Sequence, residues 1–225
     1  MDQALTSLLA ASIAFVGSHF ALSHPLRAPL VRALGEKGFL GVYSMVSLAA
    51  FAWMVMAFRA APVDGPGRGE TGGWIDASLL TIVALVLLLG SLRGNPALPD
   101  PTGQVRIPAT ARGVFRVTRH PMMWGIALWA LAHILQFWST RTLILGTAIL
   151  VLALLGAHLQ DRKKEALLGA AWREWEKKTH YWPRWQHLFS AGPAIWLGAI
   201  LVWLAATWAH LWLAGIPAGV WRWVG

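Results

Sequence analysis

The chain contains no cysteine among its 225 residues. That excludes disulfides, thiolate zinc sites, iron–sulfur clusters and a cysteine nucleophile together. Charge is scarce as well: 13% of residues are Asp, Glu, Lys or Arg, where soluble domains carry about a quarter. A polar shell for a soluble body of this size cannot be built from that. Disorder needs low hydrophobicity and high charge, and here the hydrophobic fraction is 56%. Acidic residues are the rarer sign, 10 against 19 basic ones. No H-E-x-x-H, Walker or Gly-rich dinucleotide motif is present. Gly65, Gly67 and Gly69 read as a turn, not a phosphate cradle.

What is present is long apolar runs, with a mean hydropathy of +0.53. Spanning a bilayer takes roughly 20 such residues per helix. The runs are Ala4–Leu22, Phe39–Phe58, Ala77–Leu92 (extended by Trp74 and Ile75), Pro121–Phe137, Leu143–Leu159 and Ala194–Ala214. The first opens with Asp2 and no A-x-A-like site follows it, so it reads as a retained helix. The fold class expected is an all-α polytopic bundle of about six membrane helices, forming one domain over residues 1–225. No inverted or tandem repeat appears, which weakens a transporter reading.

Loop charge sets an orientation. Arg27, Arg32 and Lys37 fall in the first loop. Arg93, Arg106, Arg112, Arg116 and Arg119 fall in the third. The fifth holds Arg162, Lys163, Lys164, Arg173, Lys177, Lys178 and Arg184. That is 15 of the 19 basic residues on one side. The positive-inside rule makes that side cytoplasmic and places residues 1 and 225 outside, in the periplasm of a bacterial inner membrane. The excess charge therefore marks loops rather than nucleic-acid binding. Most of the 15 Trp residues are expected at the interfaces, Trp74, Trp138, Trp221 and Trp223 outside and Trp182 and Trp185 inside.

Two connecting segments carry more information. Residues 93–112 hold Pro96, Pro99, Pro101 and Pro108 and read as irregular. Residues 161–178 read as one amphipathic helix, with Leu168, Ala171, Trp172 and Trp175 on its apolar face. Such a helix belongs in the inner headgroup layer.

The candidate chemistry lies in the histidines, because ionisable residues inside a membrane usually have a task. At about 1.5 Å per residue, His19, His24, His120 and His158 are expected to converge in the cytoplasmic half. His133 and His210 fall in the outer half. A cluster of neutral imidazoles suits a metal or haem iron. Arg119-His120-Pro121 opens a helix, with Pro121 in the tolerated first turn. Free amides there, with the Arg119 fork, could dock a haem propionate or a cofactor carboxylate.

Phe15-Val16-Gly17-Ser18-His19-Phe20-Ala21-Leu22-Ser23-His24-Pro25-Leu26-Arg27 is similar to the opening of the NnrU family of bacterial membrane proteins. The likeness continues through Arg119-His120-Pro121, Trp129-Ala130-Leu131-Ala132-His133, Asp161-Arg162-Lys163, the Leu-Gly-x-x-Trp stretch and Trp182-Pro183, over residues 5–190. The resemblance implies distant kinship with the plant zeta-carotene isomerases, which bind haem b and act on a polyene double bond. It implies His19 and His133 as iron ligands, with Arg119 on a propionate and with His24 and His120 tuning or replacing a ligand. By depth alone the pair is instead His19 with His120 or His158. The plant pattern has a Cys at the position of Ala130, so a thiolate role is absent. The implied substrate is a hydrophobic small molecule, an isoprenoid-like lipid, taken from the bilayer. Bacterial relatives are linked instead to the enzymes of denitrification, which leaves a non-catalytic assembly or regulatory role open.

A second resemblance points elsewhere. Arg-His-Pro-x-x-x-Gly ahead of a Glu-bearing amphipathic helix is similar to the isoprenylcysteine carboxyl methyltransferases, which use S-adenosylmethionine. Met123 replaces the Tyr of that motif, and Lys164-Glu165 stands where two acids are expected.

Overall fold

The structure, a computed structural model, describes residues 2–65, 67–68, 71–98 and 107–224, with the backbone alone at 67, 68 and 71. Gly69, Pro99, Pro101 and Arg106, used above, lie outside the described residues. Five helices are long and apolar enough to cross a membrane: Gln3–Ser23, Arg27–Ala60, Gly72–Gly90, Thr140–Leu168 and Pro193–Ala214. Their outward side chains are apolar, as with Met45 and Leu48 (69% and 68% exposed) and Trp212 and Leu213 (75% and 82%). Water would not tolerate so continuous an apolar exterior, and a bilayer is the solvent that does. The remaining expected span is α4, Pro121–Gln136, with 16 residues. It rises about 24 Å, short of the roughly 30 Å hydrocarbon core. The chain folds as two compact units.

The first unit holds Met1–Arg68 and Phe137–Leu152. Helix α1 (Gln3–Ser23) starts where the Asp2 carboxylate accepts the Ala4 amide at 2.7 Å. An Asp at this position satisfies an otherwise orphaned donor. Leu5, Leu8 and Ala11 recur on one helical face and pack in one core with Met54, Ala57 and Ala61. Trp53 Nε1 donates to Ser7 Oγ at 3.2 Å across the same pair. The expected first loop is corrected here: Arg27, Arg32 and Lys37 lie within α2 (Arg27–Ala60). Arg, Ala, Leu, Glu and Lys are strong helix formers, and Pro29 falls in the first turn, where it is tolerated. The break comes instead at Gly35, whose φ of 69° suits glycine. Gly67 and Arg68 (β1) pair antiparallel with Trp138 and Phe137 (β2). Asp64 then accepts the Thr140 amide at 2.7 Å and the Thr140 hydroxyl, fixing the start of α5 (Thr140–Leu168).

The second unit holds Gly69–Gln136 and Ala153–Gly225. Helices α3 (Thr71–Gly90) and α4 approach closely at Gly125, where a Cβ would stand 2.6 Å from the Ala84 carbonyl oxygen. A small residue is what lets two membrane helices meet this way. Trp203 of α7 (Pro193–Ala214) donates to Thr81 Oγ1 at 3.0 Å and ties the last long helix to α3.

The amphipathic helix expected over 161–178 is in fact two pieces. Residues up to Leu168 continue α5, Gly169 breaks the chain at φ 54°, and α6 covers Ala170–Lys178. Its Trp172 and Trp175 are buried, 0% and 1% exposed, in the core with Val86, Val114, Phe115 and Val117. The apolar face of α6 is therefore covered by protein and not laid into headgroups. Trp74 departs from the interfacial set too: it is buried, with the Arg222 guanidinium 5.0 Å from its ring.

Candidate functional site

The segment before α4 is stitched to residues 180–184. The Thr118 hydroxyl donates to the Tyr181 carbonyl at 2.7 Å and accepts the His120 amide at 3.2 Å. The Arg119 amide donates to the His180 carbonyl, and the Arg184 amide to the Val117 carbonyl, each at 2.8 Å. Trp124 Nε1 donates to the Tyr181 carbonyl at 2.9 Å, and the Tyr181 hydroxyl to the Leu154 carbonyl at 2.6 Å.

Inside this frame Arg119 presents Nε and Nη2 to the Asp161 carboxylate, with Nε 2.8 Å from Oδ2. Its Nη2 also lies 3.5 Å from Glu176 Oε1. His120 Nε2 donates to Asp161 Oδ1 at 2.8 Å, and the imidazole is fully enclosed. Its Nδ1 is buried without a hydrogen-bond partner among the described residues. Burial first, and then the Asp161 charge, raises the Glu176 carboxyl above its ordinary value. Burial and Asp161 raise the Tyr181 phenol likewise. One cation thus faces two acids and an imidazole. The Arg119 edge expected to hold an external carboxylate is committed to Asp161, so an incoming anion would have to displace that partner.

Asp161 was visible in the sequence as part of the Asp161-Arg162-Lys163 motif but was given no role, and Glu176 was not picked out. The available signal was Asp161 itself, an acid at the end of an apolar run.

The other imidazoles have a different setting. His19 Nδ1 donates to the Phe15 carbonyl at 2.7 Å, and its ring lies 4.4 Å from Phe15 and 5.5 Å from Tyr43. His133 Nδ1 donates to the Trp129 carbonyl at 2.8 Å, with the two rings 4.2 Å apart. His210 Nδ1 does the same to the Ala206 carbonyl at 2.7 Å. Each of the three donates from Nδ1 to the carbonyl four residues back, and the Nε2 atoms have no hydrogen-bond partner among the described residues. Within the second unit the His133 and His210 rings stand 6.4 Å apart, 31° from parallel.

Among the described residues no group of three or more His, Asp or Glu could hold a metal ion. His120 faces Asp161. His158 is exposed on α5. His24 ends α1, its amide donating to the Phe20 carbonyl at 3.1 Å. His19 and His24 belong to the first unit, and His120, His133 and His158 to the second.

A family model for "NnrU protein" matches residues 7–218. The chain belongs to the NnrU family. This NnrU-family chain is also 32% identical over 184 residues to the chloroplastic 15-cis-zeta-carotene isomerase of Zea mays. The match takes in 78% of the chain and 49% of the maize protein, so the chain spans about half the length of that relative. No solved structure matches it. In this NnrU-family chain the motif residues divide by chemistry. Arg119 and His120 are consumed by an internal ion pair. His19 and His133 keep an Nε2 with no hydrogen-bond partner among the described residues.

Proposed function

We propose that this NnrU-family chain binds haem b through His19 and His133 and acts as a cis–trans isomerase of a polyene or isoprenoid lipid in the bacterial inner membrane. What carries this reading is the state of those two imidazoles. Each is oriented by an Nδ1–H bond to a helix carbonyl and keeps Nε2 free. That is the form in which histidine ligates iron, with its second nitrogen fixing tautomer and ring plane. Each imidazole by itself therefore suits the role of a ligand. The isomerase relative from maize supports the reaction class. Haem held by these residues would supply a Lewis-acidic iron able to lower the barrier to rotation about a neighbouring double bond.

The chain's own residues would do the rest. Phe15 and Tyr43 hold the His19 ring by edge contacts, and Trp129 holds that of His133. The apolar helices exclude water and admit a hydrophobic substrate from the bilayer. Arg119 and Asp161 anchor the N-terminal end of α4, which carries His133 at its other end, so they act as positioning residues. The accompanying topology has α4 as a sixth span, the basic loops in the cytoplasm and residues 1 and 225 in the periplasm. A second ligand set is favoured by one observation: His210, with its own free Nε2, stands 6.4 Å from His133 by ring centroid.

The test is absorption spectroscopy of detergent-purified protein, oxidised and reduced, with pyridine extraction. A stoichiometric b-type signal is expected, lost in His133→Ala and lost or altered in His19→Ala. Loss in His210→Ala with retention in His19→Ala would assign the partner to His210. A protein that stays colourless after haem is supplied would overturn the proposal. Chromatography of a cis-polyene incubated with the reduced protein then tests the isomerase step.

A further inference from the structure

A cleft of about 460 Å³ opens in the second unit, and neither Arg119 nor Asp161 lines it. Its polar lining consists of Thr110, Arg116, Lys178, His180, Arg184 and His187. No acid lines it. Four cations of this chain pair with carboxylates: Arg27 with Glu36, Arg119 with Asp161, Arg173 with Glu165 and Lys177 with Glu174. Among the described residues no carboxylate pairs with Arg116 or Arg184. Lys178 is held on the Ala109 carbonyl at 3.1 Å. The positive field is felt within the cleft: burial, and then repulsion from Arg184, Arg119 and His187, pushes the His180 imidazole below its ordinary value.

The walls are built before any ligand arrives. The backbone is pinned on both sides of Arg184, by its own amide to the Val117 carbonyl and by the His187 amide to the Arg184 carbonyl at 3.0 Å. Ser190 Oγ donates to the Gly113 carbonyl at 2.8 Å and closes the same connection further on. A guanidinium fork on a fixed backbone recognises phosphate well, because the oxygens match its donors in pairs.

The neighbouring residues suggest where the phosphate comes from. Trp182, Trp185 and Phe189 are 69%, 45% and 80% exposed, directly before the apolar helix that begins at Pro193. Exposed indoles beside unpaired arginines fit the level where headgroups meet acyl chains.

We infer that this cleft is a binding site for a phosphate-bearing anion, and that the anion is the headgroup of an acidic phospholipid, its chains lying against Trp185 and Phe189. The site stands on the cleft alone and is independent of the haem reading.

The test is native mass spectrometry of the full chain in detergent, titrated with phosphatidylglycerol, phosphatidylcholine and inorganic pyrophosphate separately. One phosphatidylglycerol should bind saturably, with phosphatidylcholine at least tenfold weaker. Arg116→Gln/Arg184→Gln should weaken it about 30-fold, from two basic contacts at a membrane surface. Arg184→Lys should recover part of that loss, and an unchanged melting curve confirms that the double variant is folded. Arg32→Gln/Lys37→Gln removes the same charge from the first unit and should change binding less than twofold. Equal losses in the two double variants would mean diffuse attraction and overturn the site. Pyrophosphate binding as tightly as the lipid would overturn the lipid as its occupant.

Discussion

His120 and His133 stand at the two ends of one helix and meet opposite fates. His120, just ahead of Pro121, gives its Nε2 to Asp161 and is sealed from solvent. His133, three residues before Gln136, gives Nδ1 to a helix carbonyl and keeps Nε2. The first is part of a closed ion-pair network. The second has no hydrogen-bond partner on Nε2 among the described residues and stands beside His210, whose Nδ1 is engaged in the same way. An imidazole's task is set by which nitrogen the fold has already engaged. Membership of a conspicuous motif such as Arg-His-Pro does not decide it.

The largest break in this comparison should come from His133→Ala. We expect haem incorporation, read from the pyridine extract per mole of protein, to fall at least tenfold, while His120→Ala keeps it. Next is Asp161→Asn, which leaves the buried Arg119 with only the longer 3.5 Å contact to Glu176. Breaking such a pair costs about 3 kcal/mol, readable as a large drop in melting temperature in detergent. Removing both partners, Arg119→Met with Asp161→Leu, should cost less, because neither charge of the pair is then left alone and the remaining loss is the acceptor of His120 Nε2. If the double variant is as unstable as Asp161→Asn, the network contributes more than ion pairing.

The smaller effects concern pH, and two carboxyls give opposite signs. Glu176 has a raised folded value. The folded protein therefore binds more protons than the unfolded chain between the unfolded value near 4.5 and the higher folded one. Its contribution to stability is fully present below 4.5 and is lost as pH rises through the folded value. Glu176→Gln should flatten the melting-temperature profile in that window. Asp64 is lowered by the Thr140 hydroxyl and amide. Its contribution is present above the ordinary 3.8 and is lost as pH falls through the lower folded value. Asp64→Asn should remove that acid-side loss, by a smaller amount than any change above because the group is exposed.

The apolar runs made the long helices legible, since a span announces itself by length and composition. Their ends were less so. Arg27–Leu34 is charged and therefore resembled a loop, yet its residues favour helix, and only the φ of Gly35 breaks it. Trp172 and Trp175 were visible as a stripe, but nothing local says whether protein or lipid covers a stripe; here Phe115 does, 6.0 Å from Trp175. At the candidate site His19, His133 and Arg119-His120 stood out as residues. The pairing of Arg119 and His120 with Asp161 did not, because it joins positions about 40 residues apart. The uncompensated cleft was hidden for the same reason. Its cations looked like ordinary inner-loop charge until the fold brought 109–116 and 178–187 together.

The most direct measurement is the reduced-minus-oxidised absorption spectrum of the wild-type protein beside His133→Ala and His120→Ala, each purified in detergent and supplied with haem. A b-type spectrum in the wild type and in His120→Ala, absent from His133→Ala, is the predicted result. A spectrum that survives in His133→Ala and vanishes in His120→Ala would contradict the account.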